Sequence, residues 1–222
     1  MSNAIASAVF AFSKSLQPGG KIVDVGCGLQ PYREYFSHVQ YVGLDVAASG
    51  RKEKEKSADI YFDGVNIPLE PESVDAILCT EVLEHAVDPE ALVAEFFRVL
   101  RPGGQLCITV PFIWGLHELP YDFRRFTLFG LERLVVGKGF VINRLEKLVA
   151  GAPAIRALID SEMNNFLVNV QPVDPQQKIG RLRLQIAIYL HERLLRVLER
   201  VWRNNFRFER VYLDNYLVAK KP

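Results

Sequence analysis

The sequence predicts an α/β fold, a doubly wound sheet of seven strands with a helical insertion ahead of the last strand. Three observations predict it. Short β-branched runs alternate with segments of helical period, the pattern of parallel strands joined by crossover helices. At 222 residues, 49% hydrophobic and 24% charged, the chain can bury a full core as one domain, residues 1–222. The alternation then fails over 151–208, between the sixth and seventh candidate strands, so that stretch is an insertion within the domain.

Taken in order, "MSNAIASAVFAFSKSL" opens the chain. It is mildly apolar, but it lacks a basic start and is broken by Ser and Lys, so a helix is expected there rather than a signal peptide. The candidate strands follow at Lys21–Val25, Tyr41–Val46, Asp59–Asp63, Val74–Thr80, Gln105–Phe112 and Phe140–Val149, with a last one at Tyr216–Lys220. "DPEALVAEFFRVLRPGG" reads as the clearest helix: Asp88 caps it, Pro89 occupies the first turn, and Leu92, Phe96, Val99 and Leu100 share one face. "TLFGLERLVVGKGF" repeats the pattern, with Thr127 as cap and Gly137 or Gly139 as stop.

Composition excludes several classes. No run of about 18 uninterrupted apolar residues is present, so a spanning helix is not expected. Cys27, Cys79 and Cys107 are odd in number and lack C-x-x-C spacing, which argues against a disulfide framework or a zinc site and for a reduced, cytoplasmic protein. No metal is expected. The net charge of +1 gives no global reason for a polyanionic partner. Basic residues do gather late in the chain. Arg193, Arg196, Arg200, Arg203 and Arg207 recur at helical spacing on one face, and Leu190, Leu194, Val197, Leu198 and Val201 lie on another. Residues 179–207 therefore suit either packing on the core or a second subunit, making an oligomer, or peripheral contact with an anionic membrane. Nucleic acid is not expected, because no aromatic platforms interleave with these arginines.

The first strand runs into "VDVGCGLQPY", residues 23–32. Glycine after a strand permits positive φ and close approach of a ligand to the backbone, and the helix start beyond it offers free N–H groups. A dinucleotide loop of the G-x-G-x-x-G kind needs glycine where Pro31 stands, which disfavours a nicotinamide-dependent oxidoreductase.

The run resembles motif I of the class I S-adenosylmethionine-dependent methyltransferases, a Rossmann-like family whose usual form is an acidic residue followed by G-x-G-x-G. Asp24, Gly26 and Gly28 match it, while Gln30 replaces the third glycine. The resemblance extends through "DGVNIPLEPESVDAILCTEVLEHAVDPEALVAEFFRVLRPGGQLCITVP", which is similar to the type 11 subgroup. It implies S-adenosyl-L-methionine as cofactor and, as its contacts, Asp24, Gly26, Cys27, Gly28, Asp45, Val46, Asp63, Gly64, Thr80 and Glu81. Asp45 would accept from both ribose hydroxyls, since a carboxylate is acceptor-only, and Asp63 would accept from the adenine amino group. The family order places the last strand antiparallel between the fifth and sixth.

The segment after the fifth strand, "VPFIWGLHELPYDFRRFT", lies where open α/β sheets bind ligands. His117 is its candidate general base, because an unperturbed imidazole titrates near neutrality, and it can equally tie the loop down with Asp122. Arg124 and Arg125 can hold an acceptor anion or pair with nearby acids. Methyl transfer to a small-molecule or glycan acceptor is expected, with oxygen favoured over nitrogen because no Asn-Pro-Pro-Tyr motif follows the fourth strand. The alternative is an inactive cofactor-binding scaffold or interaction protein of the same fold, suggested by Gln30.

Overall fold

In the computed structural model, residues 2–52, 56–169, 186, 189–190, 193, 196–197, 200 and 210–222 are described. The elements are α1 (Ser2–Ser13), β1 (Lys21–Val25), β2 (Gln40–Val46), β3 (Ile60–Phe62), β4 (Val74–Thr80), α2 (Pro89–Val99), β5 (Leu100–Pro111), α3 (Leu128–Val136), β6 (Val141–Ala150), α4 (Ala152–Asn169) and β7 (Tyr212–Lys220). The strands form one sheet in the order β3-β2-β1-β4-β5-β7-β6. β1 to β5 pair in parallel, and β7 runs antiparallel beside β5. This is the doubly wound, seven-stranded order expected of the class I methyltransferase fold, with its last strand between the fifth and sixth.

Alternation along each strand divides the core between the two faces of the sheet. Val23, Val25, Ile77, Cys79, Leu106, Ile108, Leu217 and Ala219 face α2 and α3, where Leu92, Phe96, Val99, Leu131 and Val135 cover them. Ile22, Ala76, Leu78, Cys107, Tyr216 and Val218 face α1 and its Ile5, Val9 and Phe12. The caps read from the sequence form: Asp88 accepts from the Ala91 N–H at 2.9 Å, and Thr127 Oγ1 from that of Gly130 at 3.0 Å.

Three details differ from expectation. β5 begins at Leu100 rather than Gln105, because the Arg101–Gly104 run is a bulge: Val74 pairs with Leu100, but Ala76 pairs with Gln105. β7 begins at Tyr212 rather than Tyr216, so Asp214 and Asn215 lie inside a buried strand. Among the described residues, the crossovers from β2 to β3 and from β3 to β4 carry no α-helix, and only a four-residue 3-10 turn, Arg33–Phe36, links β1 to β2.

The chain divides into two compact units, one of Met1–Leu148 with Leu213–Pro222 and one of Val149–Tyr212. The second contains α4, whose start is fixed by the Ala154 N–H bonding to Gly151 O at 3.0 Å. Of the basic stretch, Arg193, Arg196 and Arg200 are described and exposed, and so are Ile186, Leu190 and Val197. Leu194, Leu198, Val201, Arg203 and Arg207 lie outside the described residues. No described helix is long and apolar enough to cross a membrane.

Candidate active site

The C-terminal ends of β1, β2 and β3 and the chain that follows β4 converge on a cavity of about 370 Å³. Gly26, Asp45, Val46, Asp63 and Gly64 line it, together with Phe62, Val82, Leu92, His85, Glu118 and Tyr121. Its size falls in the range of small-ligand sites.

The Gly-Cys-Gly turn is fixed to the end of β2. The Gly26 and Cys27 N–H groups both donate to Leu44 O, at 2.8 and 3.0 Å, and the Gly28 N–H donates to Asp45 Oδ2 at 2.9 Å. Gly26 has φ +73°, and a Cβ there would stand 2.2 Å from Val82 Cγ2, so only glycine fits. Gln30 retains the left-handed backbone of the glycine it replaces, with φ 56°. Its amide folds onto Gly43, bonding Ser57 O and Arg33, and it does not line the cavity. The loop therefore keeps its shape without the third glycine.

The donor set fits the cofactor. Asp45 is 7% exposed and takes one backbone N–H on each oxygen, from Gly28 at 2.9 Å and Val46 at 2.7 Å. A carboxylate has about four acceptor sites, so one remains on each oxygen for the two ribose hydroxyls. Asp63 uses Oδ1 to close its own turn, accepting from Val65 and Asn66 N–H groups, and Asn66 Nδ2 reaches Oδ2 at 2.6 Å. Those bonds hold its carboxyl below the usual range and leave Oδ2 one acceptor site toward the adenine side. Val46, Phe62, Val82 and Leu92 give the cavity apolar walls.

Five expected contacts do not line this cavity. Cys27 and Gly28 are buried behind it, shaping the turn. Asp24 lies on the α1 face of the sheet, where Tyr41 donates to its Oδ2; Oδ1 has no partner among the described residues, and burial pushes the carboxyl up to about 7. Thr80 ends β4 outside the lining. Glu81, with φ 54°, turns to accept from Thr109 Oγ1 at 2.8 Å, and burial followed by the nearby Asp214 raises it to about 8. The sequence pattern identifies the turn but not which of its side chains face inward.

His117 lies on the loop after β5 and meets His85, which follows β4. Their Nε2 atoms are 3.2 Å apart, with ring planes at 81°. The Glu84 carboxylate is fully buried, has no hydrogen-bond partner among the described residues, and stands 3.7 Å from His85 Nε2 and 3.9 Å from His117 Nε2. Burial, then Glu81, pushes its pKa well up. Asp122 accepts from the His117 backbone N–H at 3.0 Å and from both Arg125 Nη atoms, and Arg125 holds it down at about 2. Arg124 donates to Ala86 O and Val87 O. Arg124 thus ties this loop to the one after β4, and Arg125 closes its own loop through Asp122, Trp114 O and Gly115 O. On the sequence alone, "EVLEH" with Glu84 reads only as a segment closing over the cofactor after the fourth strand, His85 as a helix-entry or packing residue rather than a catalyst, and Glu118 and Tyr121 have no role beyond a place in the loop after the fifth.

A further clasp joins the two sides of the cavity. Arg51 Nε bonds Glu118 Oε1 at 2.6 Å, and Gly50 packs so closely that a Cβ would stand 2.0 Å from Glu118 O.

The strand order is that of the class I S-adenosylmethionine-dependent methyltransferase fold. The chain matches, over residues 23–108, the family model described as "Methyltransferase domain", Methyltransf_11. Over 141 residues it is 31% identical to the ubiquinone biosynthesis O-methyltransferase of Xanthomonas campestris, covering 59% of this chain and 54% of that protein. The chain spans between about a quarter and a half of the length of such curated relatives. Among solved structures, the [4+2]-cyclase SpnF superposes with TM-score 0.62 at 18% identity, over 98% of this chain and 80% of that one. The Haemonchus contortus phosphoethanolamine N-methyltransferase 2, in complex with S-adenosyl-L-methionine, gives 0.56 at 20%, over 98% and 52%. At such identities the likeness is one of fold alone.

Proposed function

We propose that this chain transfers the methyl group of S-adenosylmethionine to a hydroxyl of a small-molecule or glycan acceptor at the mouth of the cavity. One observation carries the reading: a single cavity joins the carboxylates and glycines suited to the cofactor with His85, Glu118 and Tyr121 beside the loop after β5. The cofactor supplies a sulfonium-activated methyl group, so positioning, exclusion of water and proton removal fall to the protein.

Asp45 holds the ribose edge and Asp63 the adenine edge. The apolar wall of Val46, Phe62, Val82 and Leu92 keeps water out. His117, with its Nδ1 against Gly115 O at 3.2 Å and Asp122 Oδ2 at 3.3 Å, presents Nε2 as the acceptor of the hydroxyl proton. A proton acceptor at this place supports oxygen over nitrogen, because a neutral amine attacks without prior loss of a proton. The scaffold alternative rested on Gln30, and its weight falls because that side chain folds away from the cavity.

The test is transfer of isotope from labelled cofactor to paired acceptors that differ only in bearing a hydroxyl or an amine. Hydroxyl acceptors are expected to be labelled, and His117→Ala to lower kcat by about 10²–10⁴-fold with unchanged cofactor affinity. Labelling of amines alone, or of neither set while the cofactor binds, would discard the reading.

A further inference from the structure

We propose that Glu84, His85 and His117 form a binding site for one first-row divalent metal ion. The argument begins with the ring nitrogens. His85 Nδ1 lies 2.8 Å from Tyr121 O, and a carbonyl can only accept, which assigns the proton of the neutral ring to Nδ1 and leaves Nε2 a bare lone pair. His117 Nδ1 faces only acceptors as well, Gly115 O at 3.2 Å and Asp122 Oδ2 at 3.3 Å. Its Nε2 is bare for the same reason. Two lone pairs therefore point at each other across 3.2 Å, with a carboxylate that has no hydrogen-bond partner among the described residues, buried to 0% exposure, within 3.9 Å of both. With both rings neutral and Glu84 ionised, three acceptors converge with no donor among them, an arrangement that a bound cation completes.

The geometry selects which kind. Nitrogens bound at about 2.0–2.1 Å and subtending 90–110° lie about 2.9–3.3 Å apart, and the observed 3.2 Å falls in that range. The carboxylate is about 0.5 Å too far for the same sphere, a gap that rotation of one side chain closes. Two imidazoles and one carboxylate suit zinc, iron or manganese rather than calcium or magnesium, which prefer oxygen. Each ring also donates its other N–H to a carbonyl or carboxylate, the outer support that metal-bound histidines have. Asp122, fixed by Arg125, provides it for His117.

The binding site stands on this geometry alone; the use made of it rests on the proposed methyl transfer. With three protein ligands the ion keeps positions open. A hydroxyl held there would give up its proton more readily, a task otherwise left to His117, and a pair of neighbouring hydroxyls would be held in one orientation. That favours acceptors with vicinal oxygens.

Calorimetric titration of the chain with zinc chloride, and separately with manganese chloride, tests the site without cofactor or acceptor. The wild type is expected to bind one equivalent of zinc. His85→Ala, His117→Ala and Glu84→Gln should each weaken binding by at least about tenfold, with unchanged circular dichroism. His38→Ala should not, because its ring bonds Ser13 O elsewhere in the unit. Absence of stoichiometric binding to either ion, or binding that survives both histidine replacements, overturns the proposal. Ion binding without methyl transfer would sink the enzymatic reading and leave the site standing; transfer without ion binding would do the reverse.

Discussion

The two halves of the strand-end surface are built on opposite terms. Over β1 to β3 the acids carry their own donors: Asp45 takes two backbone N–H groups, Asp63 closes a turn, and Asp59 accepts from the Gly43 N–H at 2.7 Å and from Arg33. Over β4, β5 and β7, Glu84 and Asp214 are buried with no hydrogen-bond partner among the described residues, and Glu81 accepts from Thr109. Unmet buried acceptors are costly. The first half is thus complete before a ligand arrives. The second stores unmet polarity for what it binds.

Breaking the finished half should have the largest effect. Gly26→Ala combines a left-handed backbone, about 1–2 kcal/mol, with overpacking against Val82, about 1–3 kcal/mol. Thermal denaturation should show a loss near that sum, and cofactor binding should fall with it. Adding Val82→Ala should restore only the packing part. Wild-type stability in the single variant would mean the turn is not under this constraint.

Asp45→Ala is expected to have a smaller effect, about 1–3 kcal/mol or tenfold to a hundredfold in cofactor affinity. Because its carboxylate also binds Gly28 and Val46, a modest stability loss should accompany it even without ligand. Loss of affinity with no change in melting temperature would show that the loop does not depend on those two bonds.

Asp24 is the exception within the finished half and sharpens the contrast. Its native pKa of about 7 lies above the ordinary 3.8, so the folded state holds a proton that the unfolded chain releases. This contribution to stability is full below pH 4, declines as pH rises toward 7, and is gone above it, with a slope of at most about 1.4 kcal/mol per pH unit. Asp24→Asn keeps an acceptor for Tyr41 and should flatten that part of the profile. Melting temperatures from pH 4 to 8 for both proteins measure the difference; parallel curves would remove Asp24 as its source.

This contrast also marks what the sequence could reveal. Strands β1 and β4 and the caps Asp88 and Thr127 follow from local pattern, since β-branched runs and a side-chain oxygen three residues ahead act over short range. Asp45 was legible because its place after Gly28 is a matter of spacing. The beginning of β7 was not, because Asp214 and Asn215 lower strand propensity locally while β5 supplies the pairing and Val110 O and Phe126 O accept from Asn215 Nδ2. Glu84 and His85 are 32 or more residues from His117, and only the sheet order brings them together. Asp24 follows a simpler rule: alternation directs it to the opposite face from Val23 and Val25.

The clasp between Gly50, Arg51 and Glu118 has a thermodynamic consequence. One partner belongs to the chain leaving β2, on the cofactor's side, and the other to the loop that carries His117. A ligand that settles either loop lowers the entropy left to lose when the second ligand orders its own. Coupling of this kind is reciprocal: whatever factor the methyl donor adds to acceptor affinity, the acceptor returns to the donor.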